Sequence, residues 1–277
     1  MLPELIILGL FLVVFLLDTF TKDGSAKRFL TPVTTVLFGL AAVAIWLIPS
    51  CGTEVFGGMY VDSAACKAMK AILCIGVFIV LLQSSEWVES DEVAIRKGEF
   101  YELLFVTLFG MFLMISARHF LLFVIGLESA SLPLAAMVAF NKKHYQSHEA
   151  AFKYIITAVF SSAVLLVGLS FVYALSGGSL YFDDIRAAIS GSEMSGLLVV
   201  ALAFVIAGIG FKLSLVPLDS RCISGCAHCD HFLPFGDFKG FCGICVLCDF
   251  RAGFRHCLFR SLGMDDVCRN HIDHHHR

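Results

Sequence analysis

Charge is what this sequence has least of. Asp, Glu, Lys and Arg make up 16% of its 277 residues, 58% are hydrophobic, and the net charge is only -3. Soluble domains carry roughly 25% charged and about 45–50% apolar residues, so a water-soluble globular class is excluded and a polytopic membrane protein, with the lipid bilayer as its surroundings, is expected. No basic patch interleaved with aromatics is present, which argues against a nucleic-acid partner. The opening run MLPELIILGLFLVVFLLDTF lacks a basic segment ahead of it and a small-residue cleavage site behind it. It therefore reads as a first membrane helix and not as a cleavable signal peptide. Internal repeats and low-complexity linkers are also missing. Cysteine is scarce up to residue 217, with only Cys51, Cys66 and Cys74, whereas residues 218–277 hold the other eight of the eleven. Composition breaks near Pro217.

Long apolar runs are what the chain has in abundance. A helix needs about 20 mostly apolar residues to cross a bilayer core. Seven stretches qualify, at about 3–20, 32–48, 69–85, 100–116, 119–140, 150–175 and 196–217, each bounded by polar or turn-forming sequence. The fold class expected is all-α, a multi-pass transmembrane helical bundle. Lysine and arginine in the loops set orientation. Lys22, Lys27, Arg28, Arg96, Lys97, Lys142 and Lys143 fall in the odd loops, against Lys67, Lys70, Arg118 and Arg186 in the even ones. That bias places the odd loops in the cytoplasm and the N-terminus outside.

Three charges fall inside these runs, where ionisable groups are costly and mark a pathway or a paired contact. Glu128, in HFLLFVIGLESASLPLAAMVAF, is too far from either end of its run to reach water. Its neighbours Gly126, Ser129, Ala130 and Ser131 would let another helix approach closely, and Pro133 frees the carbonyl of Ser129. A neutral carboxyl hydrogen-bonded for packing is the alternative reading. Lys212 follows Gly208 and Gly210 and precedes Pro217, a setting that resembles the interrupted helices of ion sites; a lysine snorkelling to the interface is the alternative. Lys153 opens the sixth run, four residues after Glu149, and taken alone it is more simply an interfacial ion pair. Glu4, Asp18, Glu99 and Glu102 read as solvated helix ends, and His119 as interfacial. Taken together, Glu128, Lys153 and Lys212 offer a carboxylate–lysine–lysine relay: bringing Glu128 near Lys153 favours both charged forms, and separating them lets that lysine release a proton towards Lys212.

The segments "FLLFVIGLESASLPLAAMVAF", "EAAFKYIITAVFSSAVLLVGLSFVYALSGGSLYFDDI" and "GFKLSLVP", with "LPELIILGLFLVVFLLDTF" and "KGEFYELLFVTLFGMFLM" before them, resemble subunit N of the proton-pumping NADH–quinone oxidoreductases, respiratory complex I. The likeness covers about residues 1–217. It implies the N-terminal half of an antiporter-like fold, about seven of about fourteen helices, in a bacterial inner membrane with a periplasmic N-terminus. It implies proton translocation coupled to electron transfer from NADH to quinone, with Glu128, Lys153 and Lys212 falling on the family's functional glutamate and lysines. Partners would be the other membrane subunits of the complex. FMN, iron–sulfur clusters, NADH and quinone would be held on those other subunits, and this chain would carry no cofactor. Subunits of multisubunit cation/proton antiporters share the glutamate–lysine pattern and are the alternative.

Residues 218–277 do not continue that pattern. Cys226, Cys229, Cys242, Cys245 and Cys248 have C-x2-C spacings that suit zinc or the start of an iron–sulfur cluster run. A shift of reading frame accounts for them better. Codons for Asp219 onward, read one nucleotide later, permit T-P-D-V-Y-Q-G-A-P, the sequence with which the family continues. The tail is therefore expected to be an out-of-frame, disordered Cys/His-rich segment that binds no metal, and the subunit to be truncated after its seventh helix, which removes half of the antiporter-like fold and counts against its activity.

Overall fold

A computed structural model describes residues 1–21, 29–49, 52, 54–89, 96–140, 145–191 and 196–212. All seven apolar runs fall on helices: α1 (Leu2–Phe20), α2 (Leu30–Leu47), α3 (Ala64–Val88), α4 (Lys97–Ser116), α5 (Phe120–Val138), α6 (Tyr145–Leu175) and, after a short α7 (Phe182–Gly191), α8 (Gly196–Lys212). Six of them, α1 to α6, are long and apolar enough to cross a membrane. The seventh is described over 17 residues, ending at Lys212; the remainder of its expected span lies outside the described residues. The chain is a multi-pass membrane protein. The five candidate metal-ligand cysteines also lie outside the described residues. Among those that are described, no group of three or more His, Cys, Asp or Glu could hold a metal.

Apolar residues surround these helices on every side, so amphipathic periodicity does not sort their faces. Packing does. α4 and α5 are the most enclosed, and Phe38, Phe105, Leu108, Phe112, Phe123 and Leu127 are part of one continuous core. Phe38 of α2 stacks on Phe105 of α4 with ring centroids 5.6 Å apart. The outer faces of α2 and α6 expose Val36, Leu40, Val43 and Trp46, and Ile156, Val159, Phe160 and Leu166. In water such faces would aggregate; against lipid chains they are at no disadvantage.

Two elements were not expected from the sequence. The stretch CGTEVFGG reads as a plain loop, yet it supplies the first strand and the turn of a hairpin, β1 (Glu54–Val55) paired with β2 (Tyr60–Val61). Gly57 and Gly58 turn it at φ of 65° and 90°, a region open to glycine without steric cost. The helix α7 is amphipathic and carries Asp183 and Asp184 in its first turn, where acids suit the helix dipole. Backbone bonds join these pieces at one end of the bundle. The Arg118 N–H donates to Met59 O at 2.8 Å, Phe120 N–H to Leu180 O at 3.0 Å and Phe182 N–H to Arg118 O at 3.2 Å. Arg118 itself reaches Glu54 Oε1 at 3.1 Å and Asp183 Oδ2 at 2.8 Å, tying hairpin, α4–α5 turn and α7 together. His119 sits in that turn as the N-cap of α5, its Nδ1 accepting the Leu121 N–H at 3.1 Å.

Two sequence expectations are corrected here. Glu4 is not a solvated helix end and Lys70 is not a loop residue. Lys70 lies within α3 with none of its side chain exposed, Glu4 is 2% exposed, and they form an ion pair at 2.5 Å. Burial beneath the hairpin, which covers the start of α1, overrides the polarity of these positions.

Candidate functional site

Close backbone contact assembles the site. Gly110 of α4 and Gly126 of α5 face each other so tightly that a Cβ on Gly126 would lie 2.8 Å from Gly110 O, and one on Gly110 2.5 Å from Ala130 N. The small residues flanking Glu128 therefore do admit a neighbouring helix, and that helix is α4. A second contact of this kind joins α6 and α8: a Cβ on Gly208 would stand 2.6 Å from Leu165 N, and one on Gly168 2.7 Å from Val205 N. Gly208 and Gly210 do not interrupt α8 within its described length; Gly208 draws it onto α6.

That close packing brings Lys212 to Glu128. Its Nζ donates to Glu128 Oε1 in a hydrogen-bonded ion pair. The lysine side chain is 3% exposed and the glutamate's 33%. Ser162 of α6 donates to the same Oε1 at 2.5 Å, and its oxygen also lies 2.8 Å from Ala158 O. A serine has a single hydroxyl hydrogen, so it serves the carboxylate or the carbonyl, and the choice follows the charge on Glu128. Pro133 stays inside α5 without ending it, and Ser131, one turn after Glu128, donates to Leu127 O at 2.7 Å.

Lys153 is not brought to Glu128. It pairs with Glu149 at 2.5 Å, both side chains about half exposed, which is the interfacial pair that its spacing allowed. The expected partnership of Glu128 is thus corrected from Lys153 to Lys212. The reason is geometric: Lys153 occupies the third turn of α6, whereas Ser162 is the α6 residue level with Glu128. A cavity of about 10 Å³ adjoins Lys212, lined by Ser131, Tyr154, Thr157, Ala158, Ser161 and Phe211. It is about the size of one water. Thr157 donates to Lys153 O at 3.0 Å, so the polar residues of α6 run from the turn of Lys153 to the pair at Glu128. Sequence reasoning missed Ser162; the adjacent hydroxyl pair in AVFSSAVLL, midway along an apolar run, is the signal that could have found it.

The chemistry this arrangement permits is proton exchange across a coupled carboxylate–ammonium pair with a hydroxyl at its edge. The family model for the transmembrane region of NADH:quinone oxidoreductase and Mrp antiporter subunits matches residues 117–220, a span containing Glu128, Lys153, Ser162 and Lys212. Over residues 117–220 the chain belongs to this antiporter-like membrane-subunit family. NADH-quinone oxidoreductase subunit N of Azobacteroides pseudotrichonymphae is 43% identical over 217 residues, covering 77% of this chain and 44% of that relative. Subunit N of Phocaeicola vulgatus is 41% identical over 215 residues, with the same coverage. The chain thus spans under half the length of these curated relatives. Among solved structures, respiratory complex I from Thermus thermophilus with bound aureothin aligns over 91% of this chain and 52% of its own, with a TM-score of 0.62 at 24% identity. An archaeal membrane-bound sulfane sulfur reductase aligns over 81% and 46%, with a TM-score of 0.60 at 19% identity. Both share the fold of this antiporter-like half.

Proposed function

We propose that this chain is the N-terminal half of a proton-translocating membrane subunit of an NADH–quinone oxidoreductase, in which Glu128 and Lys212 exchange a proton under control of redox-linked movement in neighbouring subunits. The observation that carries the reading is the Lys212–Glu128 ion pair with Ser162 on the same oxygen, inside a bundle of the antiporter-like family. Paired, both groups stay charged; when the helices part, each is left in a medium that disfavours its charge, and a proton moves. Lys153, beside the polar residues of α6, is the group through which the proton passes to or from the interface. Such a subunit sits in a bacterial inner membrane with a periplasmic N-terminus, beside the other membrane subunits of a complex whose flavin, iron–sulfur clusters, NADH and quinone are held on other subunits. We also infer that residues 218–277 are out-of-frame translation. The DNA around codons 214–222 tests this: absence of a shifted-frame T-P-D-V-Y-Q-G-A-P refutes it and revives Cys226, Cys229, Cys242, Cys245 and Cys248 as metal ligands.

The test of function uses the in-frame, full-length subunit assembled with its complex in vesicles. Glu128→Gln is expected to abolish or strongly reduce proton uptake driven by NADH oxidation. Undiminished proton transport would refute the role of Glu128. Sodium-dependent transport needing neither NADH nor quinone would instead favour a cation/proton antiporter.

A further inference from the structure

The other ion pair buried in this bundle has no part in the chemistry above. Lys70 Nζ bonds to Glu4 Oε1 at 2.5 Å and to the Tyr60 hydroxyl at 3.1 Å. Its ammonium also lies 5.2 Å and 5.7 Å from the ring centroids of Tyr60 and Phe112, within range of cation–π attraction. Lys70 and Tyr60 are fully buried. The cluster is incompletely satisfied nonetheless. Glu4 Oε2 is buried without a hydrogen-bond partner, and the Met1 amine stands 3.7 Å from it. Ser116, Glu4 and Asp62 all lie close enough to act on the Tyr60 phenol, and Cys74 lies within the field of Lys70. Those groups are the polar surroundings of the pair from α1, the hairpin, α3 and α4.

Anchoring accounts poorly for this arrangement. A fully buried ion pair adds little stability over an apolar pair of the same volume, and a carboxylate oxygen without a donor makes it costlier still. What such a cluster does well is hold a proton in more than one place. We propose that Glu4, Lys70 and Tyr60 form a second proton-exchanging site of this membrane domain, beneath the hairpin and separate from Glu128 and Lys212.

The proton balance is simple. In the ion-paired form Lys70 is an ammonium and Glu4 a carboxylate. Moving one proton along the Nζ–Oε1 contact gives an amine and a carboxylic acid, with no change in net charge and no charge left in low dielectric. The amine can then accept the hydroxyl proton of Tyr60 while the phenol oxygen takes a replacement from the Ser116 and Asp62 side. The cluster has then gained one proton and one positive charge. Burial pushes the Tyr60 phenol far above its ordinary value, so tyrosine serves as a hydroxyl relay and does not persist as a phenolate. The site is placed to take up protons at the capped end, where the hairpin meets Ala117.

The proposal is independent of the Glu128 reading, and its test separates the two. Infrared difference spectra between acid and alkaline pH are recorded on the full chain in lipid nanodiscs. A protonated-carboxyl band should be lost in Glu4→Gln and retained in Glu128→Gln, and its exchange in D2O should slow in Tyr60→Phe. Spectra of Glu4→Gln that superimpose on those of the parent at every pH would overturn the proposal, leaving Glu4 a permanent carboxylate in a strut. Should Glu4→Gln fail to fold, Tyr60→Phe decides alone, since it keeps both charges: unchanged exchange overturns the proposal.

Discussion

Lys212 of α8 and Ser162 of α6 donate to the same oxygen of Glu128 on α5, so three helices converge on one carboxylate atom. Removing either charge should therefore cost far more than removing a surface pair. Glu128→Ala removes the carboxylate that pairs with a lysine 3% exposed, and breaking a buried pair from one side costs about 3–5 kcal/mol. Lys212→Met in the Glu128→Ala background should recover much of that loss. Denaturation of the three variants in lipid or detergent measures it, and a double variant no more stable than Glu128→Ala would sink the account.

Ser162→Ala should be milder. A hydrogen bond to a charged group contributes about 1.5–3 kcal/mol, and the alanine fits the serine site. If function runs through Glu128, proton transport in the assembled, in-frame complex should fall in this variant with little change in helix content. Wild-type transport would show the hydroxyl to be incidental.

Gly126→Val should separate α4 from α5. No room exists for a Cβ 2.8 Å from a carbonyl oxygen and a backbone nitrogen, and overpacking of a dense interface costs about 1–3 kcal/mol or more. Gly9→Ala, on the open face of α1, is the control. Equal thermal stability of the two variants would contradict the close contact.

His119 predicts an acid-side loss of stability. Burial lowers its pKa below the ordinary value, and the neutral ring caps α5 through Nδ1. A depressed folded-state value means that this contribution is present above the unfolded value, about 6.5, and is lost as pH falls through the folded one. His119→Asn keeps a capping acceptor that does not titrate. Its unfolding midpoint should depend less on pH between neutrality and mild acid, and parallel profiles for the two proteins would argue against the cap.

Arg118→Ala is expected to matter little. Arg118, Glu54 and Asp183 are 44%, 59% and 68% exposed, and exposed ion pairs contribute about 0–1 kcal/mol. The effect should also shrink at high salt. A loss of several kcal/mol, read from unfolding curves, would mean that the cap depends on these charges more than on its backbone bonds.

The helices were legible in the sequence because lipid demands long apolar runs and nothing else produces them. Glu128 and Lys212 were legible for the complementary reason, that a charge in such a run requires explanation. Which charges meet was not legible. Partnership depends on helix rotation and on the contacts of Gly208 and Gly168, and uniformly apolar helices carry no periodic signal of which face turns inward. Lys153 consequently looked like the partner of Glu128 and is not. Glu4 and Lys70 were misplaced for another reason: proximity to a helix end suggests water, but the hairpin from Glu54 to Val61 covers that end.

The cap that joins the α4–α5 turn to residues 180–182 is one of two ties between α5 and α6. The Phe120–Leu180 bond holds the start of α5 against the chain leaving α6, and at the opposite end Ser147 Oγ donates to Val138 O. The two helices are thus pinned at both ends and can part only by bowing between the pins. Glu128 lies eight residues past Phe120, about 12 Å along α5 at 1.5 Å per residue, and ten residues before Val138. A bow of about 1 Å at that depth would stretch a hydrogen bond past its working range. Position near mid-span makes the carboxylate responsive to a flexing that either pinned end would hardly register.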